Sequence, residues 1–169
     1  MTDTAFPVLY LLPRTDMESM NPGKAMAHTA HAANAFVHKM QERIATGELG
    51  TDRVLRMLFE TWQASTPQGF GTTIVLRATH SQSLKAVGAC WPDSWSGIDA
   101  GWCTDPTYPY ILSAEAAALV PDSVDTLPRV PQADGTVLMF RREKTCAWVF
   151  GDKNEARLRL LLDNLQLHP

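Results

Sequence analysis

Apolar and polar positions along the chain form blocks whose spacing predicts a series of strands and helices. The first block, Val8–Leu12, is an apolar run that ends at Pro13, as expected of a buried strand whose pairing stops at a missing N–H. Asn21 then offers a helix N-cap, with Pro22 at the first helical position, where its missing N–H costs nothing. The pattern predicts a strand followed by a helix.

The helix that begins after Asn21 carries two neighbouring stripes. Lys24, His28 and His31 are spaced at i, i+4 and i+7 and are expected to share a polar stripe. Because Lys24 lies in the first turn, beside unpaired amides and the positive end of the helix dipole, an anion would be well placed there. The adjacent stripe is apolar and is expected to face the core; it comprises Met26, Ala30, Ala33, Val37 and Met40.

The middle of the chain predicts a second helix and a second strand. Thr51 is expected to cap the helix, and Gln68–Gly71 breaks the helical pattern. The β-branched run Thr72–Arg77 is typical of a strand. The inward face of the helix is expected to comprise Val54, Leu55, Leu58, Phe59 and Trp62.

A third helix and a proline-rich excursion follow. Ser81 is expected to cap a short helix, and Trp95–Asp99 is expected to form the next strand. Residues 105–134 contain five of the eleven prolines and one helical patch, Ser113–Leu119, so this stretch is interpreted as an ordered excursion or lid. The short helix is expected to direct two apolar side chains inward, those of Leu84 and Val87.

The C-terminal part of the chain predicts a hairpin and a last helix. Thr136–Arg141 and Thr145–Phe150 are expected to pair, and Asp152 with Glu155 resembles a capping box. The alternation of strands and helices favours a layered α/β fold. The apolar face of the last helix is expected to comprise Leu158, Leu161, Leu162 and Leu165.

Composition agrees with a single compact domain over residues 1–169. A hydrophobic content of 45% and a charged content of 20% are ordinary for a soluble globular protein. The acid before the first apolar run argues against a secretory signal. The three cysteines, Cys90, Cys103 and Cys146, are odd in number and lack metal-type spacing, which suits a reducing cytoplasm. We expect no zinc, disulfide or other cofactor.

The net charge of −3 is unusual for a protein that binds nucleic acid, because Lys and Arg contacts to phosphate supply most sequence-independent affinity. Basic side chains nevertheless cluster at three places and are expected to form a modest basic rim. The alternative is that each cluster is a solvated surface. The clusters are Arg53 with Arg56, Lys39 with Arg43, and Arg141 and Arg142 with Lys144.

The first predicted strand is followed by Arg14-x-Asp16, then Met20, Gly23-Lys24 and, seven residues beyond the lysine, His31-Ala32. This order of motifs resembles that of the archaeal and eukaryotic-type (type 2) peptidyl-tRNA hydrolases, which carry the same residue types after their first strand. Asp99-Ala100-Gly101 resembles the family's Asp-Ala-Gly-x-Thr motif, and Thr145 opens a strand before the terminal helix. The resemblance covers roughly three quarters of the chain and leaves about 105–140 as an insertion. The first set of matches comprises Arg14, Asp16, Met20, Gly23, Lys24 and His31.

The resemblance implies a fold and an activity. The fold would be a three-layer α/β/α sandwich around a small mixed, mostly parallel sheet of about four strands, with the insertion as an extra hairpin or lid. The activity would be hydrolysis, in the cytoplasm, of the ester joining a peptide or N-blocked amino acid to tRNA. tRNA would be the partner, and a homodimer associated through helices is expected.

The resemblance also assigns roles. Asp99 would orient or deprotonate the attacking water, and Lys24 would bind a phosphate or the developing oxyanion. His31 is an alternative base, although a structural role is the more common one for a helical histidine flanked by alanines. Substrate contacts would come from Arg14, Asp16, Met20, Gly23, His28, Gly101 and Thr145.

One departure from the family motif bears on catalysis. The family's threonine, four residues after the aspartate, is here Cys103, with Thr104 next to it. Thiols are weak hydrogen-bond donors, so Thr104 would have to serve through a one-residue bulge. Cys103 as a nucleophile activated by a histidine is an alternative, as is a packed, inert thiol. His28 stands where the family has glutamine.

Two further classes of function stay open at the level of sequence. One is a non-catalytic binding or regulatory relative, in which the insertion covers the cleft. The other is a hydrolase of another small substrate on the same scaffold, because one fold hosts many functions. The aromatic residues that favour the latter, or would stack on the terminal adenosine of tRNA, are Trp91, Trp95, Trp102, Tyr108 and Tyr110.

Overall fold

The computed structural model describes residues 5–90, 96–121 and 129–168. A 3₁₀ turn lies at Glu48–Gly50. The helices are α1 (Pro22–Ala45), α2 (Arg53–Ala64), α3 (His80–Ala89), α4 (Ala114–Leu119) and α5 (Ala156–Leu162). The strands are β1 (Pro7–Pro13), β2 (Thr73–Arg77), β3 (Asp99–Ser113), β4 (Val130–Pro131), β5 (Thr136–Asp152) and β6 (Gln166–Leu167).

The strands form one mixed sheet flanked by helices, which confirms the α/β class. Their order is β3-β5-β1-β2-β6, and β4 pairs with β5. β1 and β2 are parallel, as the crossover through α1 and α2 requires, whereas β5 on β1, β6 on β2 and β4 on β5 are antiparallel. The sheet therefore has six strands instead of about four, and one of its four described registers is parallel.

Two apolar clusters cover the opposite faces of the sheet. Alternate residues of β1 separate them, because successive side chains of a strand point to opposite faces. Leu9 and Leu11 pack with α1 and α2, whereas Val8, Tyr10 and Leu12 pack with α3 and α5. The core is consequently three layers deep, helix on sheet on helix.

The buried face of α1 differs from the predicted one. His28 is only 5% exposed and belongs to the core side of the helix, while Met26 is 72% exposed. The reason is Phe36, whose ring lies 4.9–5.9 Å from three other rings of the core, those of Phe59, Trp62 and Phe150. Burying this large ring stabilises one rotation of the helix, so the buried stripe comprises Ala25, His28, Ala32, Phe36 and Met40.

The described chain forms two compact units. The first comprises residues 1–103 and 146–169, and the second comprises residues 104–145. Within the second unit, α4 begins at the predicted helical patch, with Ser113 as its N-cap. Arg129 donates hydrogen bonds to the carbonyls of Ala117 and Val120, which closes the C-terminal end of α4. The expected insertion at about 105–140 lies within this unit.

The predicted hairpin between Thr136–Arg141 and Thr145–Phe150 is wrong. β5 runs without interruption from Thr136 to Asp152. The intervening residues, Arg142-Glu143-Lys144, contain none of the glycine, asparagine or proline that favour a tight turn, so the chain continues in extended form.

Several element starts are shifted from the predicted positions. Asp52, not Thr51, caps α2, and Thr79, not Ser81, caps α3 in a capping box with Gln82. Of the predicted strand Trp95–Asp99, Trp95 lies outside the described residues, and β3 begins only at Asp99. Helix α5 begins after its N-cap Glu155, and Asp152 belongs to β5.

The predicted inward faces are largely confirmed. Val87, Leu158 and Leu162 are buried. Leu84 and Val54, by contrast, are 43% and 47% exposed, because each lies at the margin of its helix's apolar face. The buried residues of α2 are Leu55, Leu58, Phe59 and Trp62.

Within the described part of the chain, no helix combines the length and apolar character needed to cross a membrane.

The rotation of α1 is testable with two methionines on the same helix. Met40 is fully buried and Met26 is 72% exposed. We expect Met40→Ala to lower the free energy of unfolding by about 2–5 kcal/mol, because it leaves a cavity in the core. The matched Met26→Ala change should alter it by less than about 0.5 kcal/mol. Urea unfolding monitored by circular dichroism measures both, and equal losses would contradict this rotation.

Candidate functional site

A cleft of about 780 Å³ lies on the first unit, and its described lining residues all belong to that unit. Its polar lining residues come from the C-terminal half of α1, the 3₁₀ turn, the N-cap of α2 and the first residue of β3. Its apolar lining residues come from α2, the end of α3, the chain around the start of β3 and Trp148 of β5. The volume lies within the range of small-molecule sites. The lining comprises Lys39, Arg43, Glu48, Thr51, Asp52, Leu55, Val87, Cys90, Ile98, Asp99, Ala100, Gly101, Trp102 and Trp148.

The Asp99 carboxylate is the buried charge of this cleft, with a side chain that is 4% exposed. Its Oδ1 accepts hydrogen bonds from Lys39 Nζ at 2.8 Å and Arg43 Nη1 at 2.9 Å. Its Oδ2 accepts one from Trp148 Nε1 at 2.9 Å. A carboxylate this deeply buried requires such partners, because an unpaired charge in the interior is strongly destabilising.

The two cations come from one helix. Lys39 and Arg43 are four residues apart on α1 and therefore project from the same face. Lys39 Nζ also donates to the carbonyl of Ala100 at 3.3 Å and lies 5.6 Å from the centre of the Trp148 ring. The first residues of β3 are thus attached to the C-terminal half of α1.

Gly101 provides the space that Trp148 occupies. A Cβ atom at Gly101 would collide with Cζ2 of the Trp148 ring, so no larger residue fits there without moving the indole. The indole N–H that reaches Asp99 belongs to the same ring. The Asp-Ala-Gly motif therefore has a steric reason for its glycine as well as an electrostatic reason for its aspartate.

Asp52 is another acid in the lining of the cleft. Its carboxylate accepts from Leu55 N at the start of α2, from Ser96 Oγ and from Gly97 N. This carboxylate also lies at the positive end of the helix dipole, which stabilises its charge. The contacts hold residues 96–97, immediately before β3, against α2.

Lys24 and Asp99, expected to converge in one cleft, lie apart. Lys24 is fifteen residues before Lys39 on α1, which at 1.5 Å per residue separates their backbones by about 22 Å. Lys39 contacts Asp99 directly, and neither side chain is long enough to bridge that separation. Lys24 and Gly23 lie in the first turn of α1, with Lys24 N donating to the Asn21 cap at 2.9 Å.

Arg14 and Asp16 form a separate cluster at the carboxyl end of β1. Arg14 forms a bidentate ion pair with Asp16, in which Nε and Nη2 each lie 3.0 Å from a carboxylate oxygen. Asp16 also accepts a hydrogen bond from the backbone N–H of His80 at the start of α3. Burial raises the pKa of Asp16, but the Arg14 and His80 hydrogen bonds and the Arg14 charge outweigh it and leave the pKa below its usual value. This cluster ties β1 to α3.

The remaining predicted residues are dispersed. His31 is exposed, and its ring meets the edge of His28 at 6.0 Å. Met20 N donates to the carbonyl of Met17 in the segment before α1. Thr145 is fully buried in β5, and Thr104 is exposed in β3. Of the predicted site residues, the structure brings Asp99 and Gly101 together in the cleft; the roles assigned to all of them stay predictions.

Three of the five aromatic residues expected at the site lie in the described part of the chain, and they are in different places. Trp102 lines the cleft and lies 5.9 Å from the His80 ring, whereas Trp91 and Trp95 are outside the described residues. Tyr108 is fully buried in the second unit and contacts Tyr110 at 5.4 Å. Trp102 is therefore the aromatic side chain of this group that faces the candidate site.

Two of the three cysteines, Cys90 and Cys146, lie in surroundings that favour the protonated thiol. Cys103 is partly buried and packs against the core cluster of α1 and α2. Burial, and the nearby Asp99 charge, raise the pKa of the Cys90 thiol to about 11, while burial raises that of Cys146. In the described ranges, no three His, Cys, Asp or Glu side chains are grouped to hold a metal ion.

Sequence reasoning placed Lys39 and Arg43 in a basic cluster but did not connect them with Asp99, and it gave Trp148 no role. The available signal was the spacing of two long cations on a helix whose surrounding residues are largely apolar. Such a pair is often the counterion of a buried acid, but the acid's identity depends on how the strand packs on the helix.

Comparison of the chain with protein-family models and with curated protein sequences finds no match.

The steric role of Gly101 is testable by adding one methyl group. Gly101→Ala should destabilise the protein by about 1–3 kcal/mol, because the new Cβ displaces a packed ring and breaks its bond to Asp99. Gly88→Ala in α3 is the matched control, since nothing lies within 4 Å of its added Cβ, and it should stabilise by roughly 0.5–1 kcal/mol. Thermal unfolding compares them; tolerance of Gly101→Ala would contradict this packing.

The raised pKa of Cys90 predicts a pH dependence for alkylation. The thiolate is the reactive form, so the rate with iodoacetamide should keep increasing with pH up to about 11. In the urea-unfolded chain the same cysteine should level off above its ordinary pKa of about 8.5. Mass spectrometry of the Cys90 peptide measures both rates, and a plateau near 8.5 in the folded protein would overturn the assigned environment.

Proposed function

We propose that this protein hydrolyses the ester between a peptide, or an N-blocked amino acid, and tRNA, and that the reaction takes place in the Asp99 cleft. The observation that carries the proposal is the cluster of Asp99, Lys39, Arg43 and Trp148 at the wall of an open cleft. The resemblance of Asp99-Ala100-Gly101 to the hydrolase motif supports the same location.

The cluster contains the groups that ester hydrolysis requires. The reaction needs an oriented water and positive charge near the oxygen that becomes an oxyanion. Among described residues Asp99 accepts three hydrogen bonds, two on Oδ1 and one on Oδ2, so Oδ2 retains one acceptor position for a water. Lys39 and Arg43 provide the positive charge.

In this mechanism Asp99 orients the water through a hydrogen bond to Oδ2 and takes a proton from it as the water oxygen adds to the acyl carbon. The oxyanion that develops there is stabilised by the Lys39 and Arg43 side chains. Trp148 positions the carboxylate through its indole N–H. Collapse of the tetrahedral intermediate breaks the acyl C–O bond, and the proton that Asp99 took moves to the ribose 3′ oxygen.

Lys24 takes a different role in this proposal from the one that the motif implies. Because it lies about 22 Å along α1 from Lys39, it contacts the tRNA backbone and does not touch the reacting ester. The first-turn amides of α1 and the dipole favour a phosphate there. The proposal keeps tRNA as the partner, with affinity that decreases steeply with salt, and keeps a homodimer as the expected assembly.

A second candidate function is tRNA binding without hydrolysis. The observation that favours it is that both cations and the indole of the cluster are already directed at Asp99, which makes the carboxylate a structural counterion. Cys103, at the position of the motif's threonine, also favours binding without hydrolysis. The two candidates differ in one measurable property, which is turnover.

The decisive experiment is release of an N-acetylated amino acid from its tRNA ester by the pure protein. Asp99→Asn and Lys39→Gln should each lower kcat by about 10²–10³-fold, because each removes a group directed at the reacting centre. Matched changes at exposed positions, Asp163→Asn and Lys85→Gln, should leave kcat unchanged.

Circular dichroism and thermal unfolding show whether each variant is folded, since Asp99→Asn leaves two cations without their counterion. Wild-type protein that binds tRNA but releases nothing would establish the binding function instead. Wild-type protein without turnover or binding would reject both candidates.

A further inference from the structure

The two cations of the cleft have more hydrogen-bond donors than Asp99 uses. A lysine ammonium has three N–H donors and an arginine guanidinium has five. Lys39 donates to Asp99 and to the Ala100 carbonyl, and Arg43 donates to Asp99 through Nη1 alone. Arg43 Nε lies 3.3 Å from Glu48 Oε1 at an angle that makes no hydrogen bond. Among the described residues, one Lys39 N–H and four Arg43 N–H groups therefore lack an acceptor.

The local charge favours an anion of a single charge. Lys39 and Arg43 together contribute two positive charges, and Asp99 removes one of them. Glu48 is 64% exposed, so water screens its charge strongly. Asp52 also lines the cleft and keeps its negative charge, because its three donors, Leu55 N, Ser96 Oγ and Gly97 N, are neutral. A monoanion balances the one positive charge that remains at the Lys39, Arg43 and Asp99 cluster, whereas a phosphate dianion would bring an excess of negative charge beside Glu48 and Asp52.

The cleft lining also contains apolar side chains. Leu55, Val87 and Ile98 are each less than a tenth exposed yet line the open cleft, and the partly buried Trp102 packs with Val87 and Ile98. A ligand that contacts these side chains while its charge meets the cations must carry an apolar group close to its anionic end.

We infer that the cleft binds the carboxylate of an N-acyl amino acid with a large apolar side chain. The carboxylate meets Lys39 and Arg43, and the side chain packs on Leu55, Val87 and Ile98. This inference rests on the proposed function, because such an acid is the product of the proposed ester hydrolysis. Hydrolysis adds water across the acyl C–O bond, and the carboxylic acid that it releases loses its proton at neutral pH. A large apolar side chain is accordingly the residue type preferred at the ester.

The test is a direct binding measurement that involves no reaction. Isothermal titration calorimetry with N-acetyl-L-leucine should show binding to the wild-type protein. N-acetyl-L-leucinamide, which has the same shape without the charge, should bind at least about tenfold more weakly, because it loses the charged hydrogen bonds. N-acetylglycine, which lacks the apolar side chain, should also bind about tenfold more weakly.

Substitutions at Lys39 and at Glu48 should change the affinity for N-acetyl-L-leucine in opposite directions. Lys39→Gln should weaken binding of N-acetyl-L-leucine by about tenfold or more. Glu48→Gln should tighten it by about two- to fivefold, because an exposed carboxylate that competes for Arg43 is removed. A loss of fold cannot tighten binding, so Glu48→Gln keeps the test informative if Lys39→Gln is unstable.

Equal affinity for the acid and the amide, or no binding of the acid at millimolar concentration, would overturn the inference. Tighter binding of inorganic phosphate or adenosine monophosphate than of N-acetyl-L-leucine would overturn it in favour of a phosphate site. Ester hydrolysis without acid binding would reject this inference alone, whereas acid binding without hydrolysis would reject the proposed function alone.

Discussion

The burial of one carboxylate, that of Asp99, constrains most of the structure around the cleft. Taking an ionised carboxylate out of water is strongly unfavourable, and the interaction is stable only where partners neutralise the charge and satisfy its lone pairs. Here the partners come from two elements, since α1 supplies Lys39 and Arg43 and β5 supplies Trp148, while Asp99 itself begins β3. Removing a partner leaves the buried Asp99 carboxylate with fewer hydrogen bonds.

The same arrangement explains why a cleft forms beside a buried charge. The cations belong to the C-terminal half of α1, where Phe36 and Met40, at helical spacing beside them, anchor the same part of the helix in the core. The Asp52 cap holds residues 96–97 against α2, so the chain enters β3 at a fixed position. Polar and apolar groups therefore line the same opening, which is the composition typical of small-molecule sites.

Much of the fold was predictable from local patterns. Asn21 and Pro22 predicted the start of α1, the apolar run Val8–Leu12 predicted β1, and α2 buries four of the five residues expected. These predictions succeed because capping and periodicity act within a few residues. The hairpin within β5 failed, since two apolar stretches separated by charged residues have the same pattern whether the chain turns or continues.

The sequence by itself determined the α/β class, the first strand, the approximate positions of the helices and the presence of an Asp-Ala-Gly motif. The tertiary structure decided which face of α1 is buried and which cations meet Asp99, and it separated Lys24 from that site. The physical reason is one of distance. Propensity, capping and periodicity depend on neighbours in the chain, whereas the partners of this buried charge are 49–60 residues away in sequence and meet only when the helix packs on the sheet.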